Sequence, residues 1–142
     1  MDAPTKDVTI GETKYQVGRL SARDGSWLVG QFLPNMAGAF GKEIGEKELG
    51  LALAATLRSF SEDNFYSIQG KALGVVRRYD SKGNPVPLLM TDGRLVYDPG
   101  LVELTALTVT SLAFNLHCFF EPGATAALSL VFPDLNLPLA PG

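Results

Sequence analysis

His117 and Cys118 stand side by side near the end of a long apolar run, and each is the sole residue of its type in the 142-residue chain. A thiol next to an imidazole is the pairing from which cysteine nucleophiles are built. Adjacent residues on a helix, however, project about 100° apart, which makes direct nucleophile–base contact awkward. A histidine satisfied within a core or an interface accounts for the pair better. Glu43, Glu46 and Glu48 could form an acidic pair or metal cluster, but Lys42 and Lys47 lie among them, as on a solvated face. Gly38-Ala-Phe-Gly41-Lys42 has only the outline of a phosphate loop. Its first Gly is misplaced, and Glu43 stands where Ser or Thr should coordinate magnesium. Arg77-Arg78 is a two-residue basic spot, better explained as the end of a helix than as a nucleic-acid patch. A single cysteine excludes an internal disulfide framework and any multi-cysteine zinc site. The expectation is a protein that is not an enzyme and uses no metal or cofactor.

Composition points instead to association. The hydrophobic fraction is 46% and the charged fraction only 19%, against about 25% charged in average domains. Such a chain is expected to meet a partner, or another copy of itself, with part of its apolar surface. The net charge of −3 gives no general attraction to nucleic acid. Met1-Asp-Ala-Pro-Thr-Lys-Asp7 lacks the apolar core of a signal peptide, so the chain is expected to stay in the cytoplasm.

The element that must position everything else is the run from Pro99 to Glu121. Its 17 residues from Leu104 to Phe120 carry no charge. Val102, Ala106, Val109, Ala113, Leu116 and Phe120 step by three or four along one helical face, and Leu104, Leu107 and Phe114 add a second stripe. With Thr, Ser, Asn and His inside, the run is a poor membrane span and a good buried helix. Its stripe Val102, Val109, Leu116 is expected to pack on the helix of Phe65, Ile68 and Val75. Phe114 is expected on another side, under the ribbon, the terminal arm or a partner.

Around that helix the sequence predicts a β-hairpin over Val8–Val17, turning at Gly11-Glu12 as a type II′ turn, with Val8 opposite Tyr15 and Ile10 opposite Thr13. Ser21-Ala-Arg-Asp24 starts a helix that Pro34 should end or kink. Residues 35–50 are Gly-rich and read as a connection or poorly formed helix. A short helix is expected over Leu49–Phe60, apolar at Leu49, Leu53 and Leu57. A further helix is expected from about Glu62 to Tyr79, with Arg77 and Arg78 in its last turn. Val86 to Tyr97 reads as a second small ribbon turning at Asp92-Gly93, its first strand demoted to an edge by Pro85 and Pro87. The fold class is therefore α+β: an N-terminal β-hairpin, three to four helices around a central apolar helix, a second small β-ribbon and an extended C-terminal arm. One domain is expected over 1–121. From Pro122 to residue 142 the chain is a Pro-rich, apolar arm whose only charge is Asp134, expected to dock on its own domain or a neighbour.

Three stretches resemble the tail assembly chaperones of long-tailed bacteriophages and prophages. They are Tyr15-Gln-Val-Gly-Arg-Leu-Ser-Ala-Arg-Asp-Gly-Ser-Trp27 after the Val-Thr-Ile-Gly hairpin, Phe65 to Asp80 with Arg77-Arg78-Tyr79-Asp80 leading into Gly-Asn-Pro-Val-Pro, and Leu104 to Phe120 with Leu-Ala-Phe-Asn-Leu and Phe119-Phe120. The resemblance implies a protein of the host bacterial cytoplasm that binds the long tape-measure protein, keeps it soluble and helps recruit the tail-tube protein. It implies no enzyme activity, metal or cofactor. Trp27, Phe32, Phe114, Phe119 and Phe120 are the candidate partner contacts, with self-association, but neither nucleic acid nor membrane, as a further expectation. The other reading is a small structural virion protein of the tail or connector.

Overall fold

The computed structural model describes residues 5–36 and 45–117. The expected hairpin is present. Strand β1, Lys6–Ile10, pairs antiparallel with β2, Thr13–Val17, in the register Val8 opposite Tyr15 and Ile10 opposite Thr13. Gly11 takes φ 63° in the two-residue loop, a conformation that side chains with a Cβ adopt only under strain. Tyr15 and Val17 face inward, and Asp7, Thr9 and Lys14 face water, as period-two alternation requires.

Helix α1, Ala22–Met36, starts where Ser21 Oγ accepts the Asp24 backbone N–H at 3.1 Å. It runs through Pro34 instead of ending at Leu33. Proline forfeits the bond to the carbonyl four residues back, and here that loss falls in the last turn. Helix α2 spans Glu46–Leu57 and begins three residues earlier than the apolar spacing suggested, burying the expected Leu49, Leu53 and Leu57.

Helix α3 is Glu62–Leu73, capped by Ser61, whose side chain accepts the Asn64 N–H. The expected continuation to Tyr79 is not helical. Residues Val76–Tyr79 form strand β3, and Arg77 and Arg78 lie in it. Gly74 follows the last helical residue, and the chain then lies along β2. Gly18 N donates to Val75 O at 2.8 Å, and Tyr15, Gln16 and Val17 pair with Arg78, Arg77 and Val76. A waiting row of strand hydrogen bonds outweighs four residues of helical periodicity. Asp80 to Asn84 is accordingly a hairpin loop into β4, Pro85–Pro87, and not a helix stop. Gly83 sits there at φ 80°.

The sheet order is β1-β2-β3-β4, all antiparallel, with the proline-bearing β4 at an edge as expected. The second ribbon is thus continuous with the first hairpin. It goes on as a bridge between Leu89 and Leu95. Its loop holds three residues, Thr91 to Gly93, with Met90 and Arg94 paired across it and Gly93 at φ 88°. That differs from the expected two-residue type I′ turn.

Helix α4, Leu101–Leu116, lies between two cores. Leu112, Ala113 and Leu116 pack with Leu28, Phe32, Leu49, Leu53, Ile68 and Ala72 of the other three helices. Leu107 and Phe114 pack with Tyr15, Val17, Leu73, Val76 and Leu88 on the sheet side. Phe114 and Leu116 are about 200° apart on the helical wheel, so one helix serves both layers. Every residue from Ser111 to Leu116 is buried. The expected C-terminal arm lies outside the described residues.

Candidate partner-binding surface

The stripe Val102, Val109, Leu116 does not stay inside along its whole length. Seven residues make nearly two turns, so the three share one face about 10 Å apart along the axis. Leu116 is 2% exposed, Val109 is half-buried and Val102 is 78% exposed. The expectation that all three pack inside fails at Val102, whereas Leu116 shares a core with Ile68 and Phe65, and Val109 packs against that core. Both layers of side chains converge on the last two turns of α4, and Leu107 and Thr108 are buried before them. The first turn lies beyond this packing on its Val102 face, and Leu101 is exposed as well.

Beside this open stripe runs α2. Leu51 projects from it at 68% exposure, opposite the buried row Leu49, Leu53, Leu57. The two helices approach closely because Gly50 faces Val109 and Ala113. A Cβ built on Gly50 would stand 3.4 Å from Val109 Cγ1. Small residues at the crossing and larger ones beside it leave a cleft of about 440 Å³, lined by Gly50, Leu51, Ala54, Val109, Thr110 and Ala113. Lys6 and Glu46 form an ion pair at its rim, where Lys47 also stands. An apolar floor with a charged rim is the usual anatomy of a protein contact surface.

The base of α4 is held against the hairpin by Tyr15, whose hydroxyl donates to Glu103 Oε2 at 2.8 Å. Burial first, then that carboxylate, push the Tyr15 hydroxyl well above the usual phenol range. At the other end Asn115 ties α4 to the segment that follows β2. Its Oδ1 accepts Leu20 N at 2.8 Å, and its Nδ2 donates to Gly18 O at 3.1 Å and Ser111 O at 3.0 Å. Arg19 lays its guanidinium 3.9 Å from the Phe114 ring centroid and donates to the Phe114 carbonyl.

Of the expected partner contacts, Phe114, Phe32 and Trp27 are among the described residues. Phe114 is 8% exposed under Arg19, and Phe32 is 2% exposed, edge-on to Phe60 at 5.4 Å. Both are interior. Trp27 is half-buried beneath Lys71, whose ammonium sits 5.1 Å from its ring and 2.9 Å from Asp24 Oδ1. Phe119, Phe120, Cys118 and Glu43 lie outside the described residues, as does the Gly38–Lys42 run. His117 caps α4 and is half-buried. Arg78 stacks on Tyr97 at 3.9 Å, and Arg77 faces water. Among the described residues no three or more His, Cys, Asp or Glu side chains come together to hold a metal, and no helix is long and apolar enough to cross a membrane.

The family model for the phage tail assembly chaperone protein matches residues 11–127, most of the chain. The chain belongs to this family. No curated protein and no solved structure matches it. The family match spans the whole described cleft except Lys6, so the open stripe is part of the domain that tail assembly chaperones share. The exposure of Leu51 and Val102 was missed in the sequence. Leu51 carried a signal, since it lies off the apolar row of its own helix. Val102 carried none, because its spacing is that of a core residue.

Proposed function

We propose that this tail assembly chaperone binds the tape-measure protein in the host cytoplasm and holds it until tail-tube subunits arrive. It acts by binding and carries out no catalysis. The observation that supports this is the stripe of α4 that leaves the core uncovered at Val102 and borders the α2 cleft at Leu51. An amphipathic helix laid into such a groove buries its apolar face against Leu51, Val102 and Val109 while Lys6, Glu46 and Lys47 meet its polar flank. A long helical tape-measure protein offers many such faces.

Co-expression with the tape-measure protein tests this. The wild-type chain is expected to hold it in solution and co-purify with it. A Leu51→Ser/Val102→Ser double variant with unchanged melting temperature is expected to lose it. Equal capture by both would remove the cleft from the reading. Recovery of the chain from purified mature tails in fixed copy number would make it a structural subunit instead.

A further inference from the structure

The sheet has two edges, and they differ in what they offer outward. Beside β3, the Leu88 N–H donates to Val76 O and the Asp80 N–H donates to Asn84 O. Alternation along β4 therefore turns the backbone of Pro85 and Pro87 away from the sheet. Neither has an N–H to give, so this edge is closed to a further strand. At the other edge, the two-residue loop makes Ile10 and Thr13 exchange bonds, and the pairs Val8 with Tyr15 and Lys6 with Val17 follow. Asp7 and Thr9 are left with both backbone groups facing outward. Among the described residues those groups have no backbone partner. The strand runs without proline, and Val8, Thr9 and Ile10 are all β-branched. Its one charge on the inner face, Lys6, is held to Glu46 of α2.

An antiparallel partner must set its own outward-facing residues opposite Asp7 and Thr9. A second β1 does so in a register centred on Val8. Asp7 of one copy then exchanges both backbone bonds with Thr9 of the other, and Thr9 does the same with Asp7. Val8 meets Val8 on the inner face, and the whole strand Lys6–Ile10 is paired. A register centred on Asp7 would set two carboxylates against each other. One centred on Thr9 would run into the turn at Gly11, where φ is 63°. We propose that two copies of this chain join edge to edge through β1, antiparallel and centred on Val8, to make one continuous sheet. Because the β4 edge is closed, the assembly stops at two. Strand β1 precedes the residues matched to the family model. The pairing does not rest on the tape-measure reading, so either can fail without the other.

Sedimentation of the full chain at rising concentration tests this. The mass is expected to climb from one chain toward two and no further. Thr9→Pro removes an outward N–H and none of the bonds to β2. Thr9→Asp places a carboxylate opposite Asp7 of the second copy while standing beside Lys14 of its own β2. Both variants are expected to remain single chains with an unchanged circular dichroism spectrum. Residues directly opposite in a non-hydrogen-bonded pair lie about 4.5 Å apart at Cα, within disulfide reach. In chains carrying Cys118→Ser, Val8→Cys is therefore expected to give a cross-linked dimer on mild oxidation. Thr9→Cys alone is expected to give none, whereas an equal mixture of Asp7→Cys and Thr9→Cys is expected to cross-link. A strict monomer at every concentration would overturn the inference. So would dimers that survive Thr9→Asp, masses beyond two chains, or cross-linking of Thr9→Cys alone equal to that of Val8→Cys.

Discussion

Tyr15 and Glu103 are 88 residues apart in sequence and joined by a 2.8 Å hydrogen bond between hydroxyl and carboxylate. The bond ties the first turn of α4 to the N-terminal hairpin. It holds the exposed start of that helix in place where few apolar contacts do so.

Because the Tyr15 hydroxyl is raised above its ordinary value, the sign of its pH dependence is fixed. The folded state disfavours the phenolate that the unfolded chain forms freely. The contribution is complete below the ordinary phenol value of about 10 and is lost as pH rises beyond it. Wild-type stability is expected to fall above that pH, and Tyr15→Phe to flatten the fall while lowering neutral-pH stability by about 1–3 kcal/mol. Chemical denaturation at pH 7 and pH 11 checks both halves. Equal alkaline slopes in the two proteins would count against the assignment.

Gly11 stands in the left-handed region, and a Cβ there would lie 3.0 Å from Glu103 Oε1. Gly11→Val is therefore expected to strain the turn by about 1–2 kcal/mol and to disturb the Tyr15–Glu103 bond as well. In a Glu103→Gln background only the turn strain changes little, whereas the disturbance of the ion's hydrogen bond is reduced. A melting temperature unaffected by Gly11→Val in either background would refute the turn.

Along α4, one substitution type should give opposite results at two ends of one face. Leu116→Ala is expected to cost about 2–5 kcal/mol of stability. Val102→Ala is expected to stay within about 0.5 kcal/mol, as exposed sites do, and to weaken partner capture. Phe114→Ala belongs with Leu116, at about 3–5 kcal/mol. Thermal melts paired with the co-purification assay distinguish these. Loss of stability at Val102 equal to that at Leu116 would mean the stripe is covered in the free protein by something stable.

Asn115 is buried and bridges Gly18, Leu20 and Ser111. Asn115→Leu keeps the branched shape and adds apolar character, yet leaves the Leu20 N–H and the Gly18 carbonyl without their side-chain partner. Each such group costs about 1–3 kcal/mol, so the variant is expected to be less stable than wild type, with faster exchange of the Leu20 amide. A stabilised variant would show that the network contributes little.

Much of this molecule is decided by local chemistry. Gly11-Glu12 between alternating residues is enough to place the hairpin and its register, because a two-residue loop leaves no freedom in pairing. The Ser21 and Ser61 caps mark two helix starts. The uncharged run from Leu104 to Phe120 marks the central helix, and its two stripes foretell that it lies between two layers. What local pattern could not decide is where a partner segment waits. Val76–Tyr79 has helical spacing when read alone and becomes a strand because β2, nearly 60 residues earlier, offers its open edge. Arg77 and Arg78 change from helix termination to sheet surface as a result. In the same way Val102 and Leu116 are equivalent in the sequence, spaced by whole turns on one apolar face. Only packing separates them, since the other helices cover this face at Leu116 and leave it open at Val102, in the first turn of α4.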